Sequence, residues 1–179
     1  QQLAAPHSTT SSGKSLFHKT EVAGVALNLR DEQDVKQASD KLLNIQGCEA
    51  LLVQEMVKGD RELVCGLKRD EQFKVCLMFG LGGIFTEVMD DVTFRIAPIT
   101  LWDAEEMMME VRCRKLLEPF RGQAAVDKKA VAQTLVNIGR IGLECESIAA
   151  IDINPLKIRE DGSPVAVDAL IILKSDRTK

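Results

Sequence analysis

Two oxygen-bearing side chains near the end of the chain, Asn154 and Asp168, have the spacing of a metal site. Between them lies Glu160-Asp161-Gly162-Ser163-Pro164, a turn sequence flanked by apolar segments of strand character. A hairpin centred on Asp161 sets Asn154 directly opposite Asp168. Cross-strand partners hold their Cβ atoms about 4.5–5.5 Å apart, so an amide oxygen and a carboxylate converge there. Hard oxygen ligands suit Mg²⁺, which takes a few protein groups and completes its shell with phosphates and water. Any hard cation satisfies these two residues alone; a metal-nucleotide site on a rigid hairpin is the reading they favour.

Other groups extend that chemistry, each with a plainer reading beside it. Gly80-Leu81-Gly82-Gly83 follows a strand, and glycine lets backbone N–H groups approach an anion; the plainer reading is a tight turn. The short apolar segment after it is not the start of a long helix, which argues against a dinucleotide fingerprint. Ser12-Gly13-Lys14-Ser15 resembles the end of a Walker A loop, but Ser8 stands where the first glycine belongs and no strand precedes it. His18 is either a solvated loop residue or a nucleophilic imidazole for phosphoryl transfer, with Lys19 supplying charge. Gln54, Glu55 and Met56 end an apolar strand, either as a simple exit or as a hinge that reads an adenine edge. Glu62 opens the next strand within reach of a ribose, and Glu87 follows the glycine run toward phosphates or metal. Arg95 and Arg121 are candidate phosphate clamps, because guanidinium binds phosphate through paired N–H groups. Glu105, Glu106, Glu110, Lys128 and Lys129 read as solvated helix faces.

These residues need a scaffold. A length of 179 residues suits one domain or two small lobes, and 45% apolar with 28% charged residues is ordinary for a globular chain. The net charge of −4 and the absence of basic-aromatic interleaving argue against nucleic acid. No window approaches the roughly 18 apolar residues of a membrane span. Five cysteines with no close pairing fit buried, reduced thiols of a cytoplasmic protein and give no zinc spacing. Residues 1–15 are expected to be a flexible tail or linker without an export signal, and the chain a piece of something longer.

Residues 22–30 read as a strand, and Asp31 to Ile45 as a helix capped by Asp31 with Val35, Ala38, Leu42 and Ile45 on one face. Ala50 to Val57, Arg61 to Lys68 and Phe73 to Phe79 read as an antiparallel meander. Short strands follow at 84–88 and 92–96, then helices over 102–117 and 127–145 and the closing hairpin. Val131, Leu135, Ile138 and Gly142 form the stripe of the last helix. Antiparallel strands with helices against them define an α+β fold. Residues 16–49 are expected to be the remnant of a first lobe, and 50–175 a second lobe carrying the metal-nucleotide site.

The order of the motifs carries more than any one of them. His18-Lys19-Thr20-Glu21-Val22-Ala23-Gly24-Val25, Val53-Gln54-Glu55-Met56, Gly80 to Val88, Asp91 to Pro98, Phe120-Arg121-Gly122, Asp152-Ile153-Asn154-Pro155 and Val167-Asp168-Ala169 together resemble one family. It is the ATP-grasp domain of NDP-forming acyl-CoA synthetases, relatives of the succinyl-CoA synthetase β chain. The resemblance spans about residues 16–173. It implies that Asn154 and Asp168 hold Mg²⁺, that Glu55 and Met56 line the adenine hinge, and that Gly82, Gly83 and Glu87 lie near the phosphates of ATP or ADP. The loop around Ala23-Gly24 would cover them, and His18 would be a transient second phosphate carrier. The first phosphohistidine and the CoA site would belong to a partner subunit or domain, and an oligomer is expected. The implied reaction is acyl-CoA + ADP + phosphate ⇌ acid + CoA + ATP, in which this half passes a phosphoryl group to Mg·ADP by positioning and charge neutralisation.

The sequence also departs from the family pattern. Ala23 replaces a glycine, Phe73-Lys74-Val75 replaces Phe-Gly-Pro, and Pro119 stands where a glycine is usual. Serine- and threonine-rich sequence stands before His18, where the family has a strand ending in a nucleotide-binding lysine; Lys14 is out of register for that role. Two rivals follow: a catalytically degenerate domain with an assembly or regulatory role, and a succinate-specific relative.

Overall fold

The computed structural model describes residues 2–4, 24–46, 48–83, 91–119 and 122–174. The chain divides into two compact units, Gln1–Met56 and Val57–Lys179. The sequence reading expected that boundary before residue 50.

The first unit holds a three-stranded antiparallel sheet in the order β2-β1-β3, from β1 (Gln2–Ala4), β2 (Val25–Ala26) and β3 (Leu52–Gln54). Residues 2–4, expected in a tail, are therefore a central strand. Helix α1 (Glu32–Leu43) begins where the Asp31 carboxylate accepts the Asp34 N–H at 2.8 Å, as the capping pattern predicts. Ala38 and Leu42 are its buried positions, with Val35, Ile45, Leu29 and Leu51 packed around them.

The second unit is built on a six-stranded antiparallel sheet. Its strands are β4 (Arg61–Asp70), β5 (Lys74–Leu81), β6 (Val92–Ile96), β7 (Ile148–Ile158), β8 (Pro164–Ala166) and β9 (Ala169–Leu173). The order is β6-β5-β4-β7-β8, with β9 also paired to β7. The expected meander is thus only a β4–β5 hairpin, because β3 pairs with β1 in the other unit. Helices α2 (Leu101–Glu110) and α3 (Lys128–Glu144) cover one face of this sheet. Odd-numbered residues of the central strands fill that side: Leu63, Cys65, Leu67, Val75, Leu77, Phe79 and Leu81 are buried against Met107, Met108, Val131, Leu135 and Ile138. The predicted stripe of α3 is the face that packs. A Cβ on Gly142 would meet Leu67 Cδ2 at 2.6 Å, so the absent side chain lets the helix approach the sheet.

Two segments depart from the sequence reading for identifiable reasons. The helix expected over 102–117 ends at Glu110 and gives way to a 3-10 turn, Arg114–Leu117. The buried Asp91 carboxylate accepts the N–H groups of Arg112 and Cys113 at 2.7 and 2.9 Å, taking them out of the helical ladder. Strand β6 is turned opposite to its polarity. Thr93 and Arg95 face the helices, where Thr93 Oγ1 donates to the Met107 carbonyl and Arg95 pairs with Glu110, while Phe94 and Ile96 are exposed. Of the cysteines, Cys65 is buried; Cys48, Cys76 and Cys113 are half-buried and Cys145 is exposed, so the expectation of five buried thiols holds for one. Among the described residues, no helix is long and apolar enough to cross a membrane.

Candidate functional site

The face of the second sheet opposite the helices carries a group of carboxylate and amide side chains. Strand alternation gives that face Glu62 from β4 and Asp152 and Asn154 from β7. The closing hairpin has the predicted register. Ile153 pairs with Ala169 and Leu156 with Ala166, the Asn154 N–H donates to the Asp168 carbonyl at 3.2 Å, and the Val167 N–H donates to the Pro155 carbonyl at 3.1 Å. The turn at its tip is held by Asp161, whose carboxylate accepts the Ser163 N–H and hydroxyl. Asn154 on β7 and Asp168, in the break between β8 and β9, therefore stand directly opposite each other.

The pairing of β7 with β4 is interrupted at that same point. Leu63 pairs with Leu156 but Cys65 with Ile153, so β7 carries one residue more than β4 across the interval. Such a bulge re-aims side chains. Here it brings Lys157, three positions after Asn154, to the same open face. Lys157 is cross-strand from Glu62, with Nζ 3.7 Å from Oε1. Glu62 in turn borders the glycine loop: its carbonyl accepts the Gly82 N–H at 2.7 Å, and its Oε2 lies 3.6 Å from the Cβ position of Gly83. Gly83 has φ +68°, a conformation glycine adopts freely, and Gly80 and Leu81 continue β5.

Electrostatics mark the same place. Partial desolvation of its carboxyl, although the residue is exposed, and after it the neighbouring Asp168 carboxylate, push Asp152 above the ordinary aspartate range. Burial and then the charge of Asp152 push the Cys65 thiol up to about 12, so it is an inert core group. Among the described residues, no three His, Cys, Asp or Glu side chains cluster around a point. The donor set is two carboxylates and an amide on one surface. It fits a cation that brings its own phosphate and water ligands better than one caged by protein.

The structure does not gather every expected residue. Arg95 lies on the helix-covered face, its guanidinium donating to both oxygens of Glu110 at 3.0 and 2.6 Å. That fixed partner and the pairing phase of β6 keep it away from Asn154 and Asp168. Gln54, Glu55, Met56 and Gly24 belong to the first unit, where Gln54 closes β3 and Gly24 is buried just before β2. His18, Lys19, Glu87 and Arg121 lie outside the described residues, as do the other residues of 5–23 and the strand expected at 84–88. Asp152 and Lys157 went unassigned in the sequence reading. Strand alternation from Asn154 could have found Asp152, whereas Lys157 needs the bulge.

Comparison with known proteins agrees with this architecture. Residues 1–173 match the ATP-grasp domain family, and the chain belongs to it. It is 41% identical over 165 residues to ADP-forming acetate–CoA ligase I of Archaeoglobus fulgidus, covering 88% of this chain and 24% of that protein. The chain thus spans about a quarter of that relative's length. It is 38% identical to the β subunit of ADP-forming acetate–CoA ligase I of Pyrococcus furiosus, covering 88% of this chain and 71% of the subunit. Among solved structures it is similar to dinucleotide forming acetyl-coenzyme A synthetase 1 of Ca. Korarchaeum cryptofilum, with TM-score 0.82 and 41% identity over 97% of this chain and 76% of that one. That structure is a complex with coenzyme A and Mg-AMPPCP, its phosphohistidine segment pointing towards the nucleotide-binding site.

Proposed function

We propose that this chain is the nucleotide-binding part of an ADP-forming acid–CoA ligase, where it passes a phosphoryl group between a phosphohistidine and Mg·ADP. The observation that carries the reading is the backbone pairing of Asn154 with Asp168 on the sheet face that also carries Glu62, against which the Gly82-Gly83 loop lies. Its support from relatives is the Mg-nucleotide complex of the Korarchaeum synthetase and the ligase activities named for the Archaeoglobus and Pyrococcus proteins.

Asn154 and Asp168 are the proposed Mg²⁺ ligands. When bound, the metal would supply the charge neutralisation that phosphoryl transfer requires. The protein's part is positioning. The backbone of Gly82 and Gly83 gives phosphates close approach, Glu62 accepts from the ribose, and the segment Gln54-Glu55-Met56 reads the adenine edge. His18 as second phosphoryl carrier, with Lys19 and Glu87 beside the phosphates and Gly24 in the covering loop, is proposed on the family resemblance. Arg95 is a candidate phosphate clamp only by its guanidinium chemistry; its pairing with Glu110 favours a structural role. The CoA-binding half and the acid specificity would reside in a partner subunit or domain, with the assembly oligomeric and cytoplasmic.

Calorimetry tests the metal assignment. ADP should bind with Mg²⁺ present, and Asn154→Ala or Asp168→Ala should each weaken it on the order of tenfold or more, the range for a charged contact left unmade. Equal affinity in wild type and both variants would remove Asn154 and Asp168 from the site.

A further inference from the structure

Lys157 is a cation on the open face for which the phosphoryl-transfer reading has no use. Its Nζ lies 3.7 Å from Glu62 Oε1, and the two side chains are only 20% and 33% exposed. Glu62 has a demanding position. A carboxylate is an acceptor only, and this one lies against Gly83 at the edge of the proposed phosphate loop. A glutamate has three side-chain torsions, and every one left free costs entropy when a ligand fixes it. An opposite charge on the neighbouring strand holds the carboxylate in one place beforehand. The β7 bulge supplies that charge: without the extra residue of β7 between Ile153 and Leu156, Asn154 and Lys157 would fall on opposite faces.

We infer that Lys157 is a positioning residue for nucleoside recognition, holding the Glu62 carboxylate beside Gly82-Gly83 to accept the hydroxyl pair of a ribose. The inference rests on the Mg-nucleotide reading of this face. Lys157 does not touch the nucleotide; it sets the selectivity for a ribonucleotide over one lacking the 2′ and 3′ hydroxyls. The β7 bulge then serves metal and sugar at once, with Asn154 inside it and Lys157 placed by it.

The test is calorimetric titration of the full protein, with Mg²⁺, using ADP and 2′,3′-dideoxy-ADP as the two probes. Wild type should prefer ADP. Lys157→Met should lose ADP affinity on the order of tenfold, the coupling expected of directly interacting residues, with little change for the dideoxy analogue. Lys157→Arg should restore most of the preference. A merely structural role would lower both affinities together, leaving their ratio intact, and an unchanged ratio in Lys157→Met overturns the inference. So does an equal loss for both nucleotides with an unchanged melting temperature, which would place Lys157 on the phosphates. Absence of nucleotide binding in wild type overturns the inference and the site together. Full affinity in Asn154→Ala and Asp168→Ala, with the ratio still lost in Lys157→Met, overturns the metal assignment alone.

Discussion

The two faces of the six-stranded sheet are made by the same strands and differ in almost every physical respect. On the helix side, Leu63, Leu67, Leu77 and Phe79 alternate into a dry core under α2 and α3. On the other side, the residues between them include Glu62, Asp152 and Asn154, with Lys157 and Asp168 beside them. One face holds the fold together through apolar area removed from water. The other carries charges left near one another, Asp152 beside Asp168 and Glu62 beside Lys157. Strand alternation separates these tasks along much of β4, β5 and β7, while the β7 bulge places Lys157 and β6 runs against the pattern, so chemistry and stability occupy neighbouring positions.

Substitutions on the two faces should therefore behave differently. The largest effect is expected from the core face. Phe79 is fully buried, and Phe79→Ala should cost about 3–5 kcal/mol in denaturant unfolding through lost burial and the cavity left behind. A cost below about 1 kcal/mol would mean that this face is not the packed core.

On the open face the sign should reverse. The folded-state pKa of Asp152 is raised by partial desolvation and by Asp168, so the folded protein holds that proton more tightly than the unfolded chain. The corresponding stability is present below the ordinary aspartate value and is lost as pH rises through the raised value. Charged Asp152 thus opposes folding at neutral pH, and Asp152→Asn should stabilise the metal-free protein there. Solvent screening limits the gain to less than about 1 kcal/mol. The gain should vanish on acidification below the ordinary aspartate range and shrink when Mg²⁺ is saturating. A loss of stability in Asp152→Asn at pH 7 would show that the carboxylates do not repel.

How legible these faces are in the sequence depends on what sets each residue's phase. The hairpin is symmetrical about a strong turn, so Asn154 and Asp168 can be set opposite each other from spacing, and the backbone bond between them has that register. The stripe of α3 is legible because period 3.6 runs uninterrupted from Val131 to Gly142. Strand β6 misleads: its apolar residues Phe94 and Ile96 alternate as a core face would, yet they are exposed. Phase there is fixed by hydrogen bonding of Thr93 and ion pairing of Arg95 to α2, which no local pattern announces. Lys157 is hidden by an extra residue that changes the phase of β7, and the end of α2 by a carboxylate nineteen or more positions earlier in the chain, Asp91.

The central claim is that the open face, and not the helix face, holds the metal-nucleotide complex. Paramagnetic relaxation by Mn²⁺ in place of Mg²⁺ tests it most directly, by recording amide signals of the labelled protein with ADP. Broadening falls steeply with distance from the ion. The account predicts that Asn154, Asp168, Asp152 and Gly82 broaden strongly upon adding Mn·ADP, while Leu135 and Ile138 on α3 stay sharp. Broadening centred on the helices, or none near Asn154 and Asp168, would contradict it.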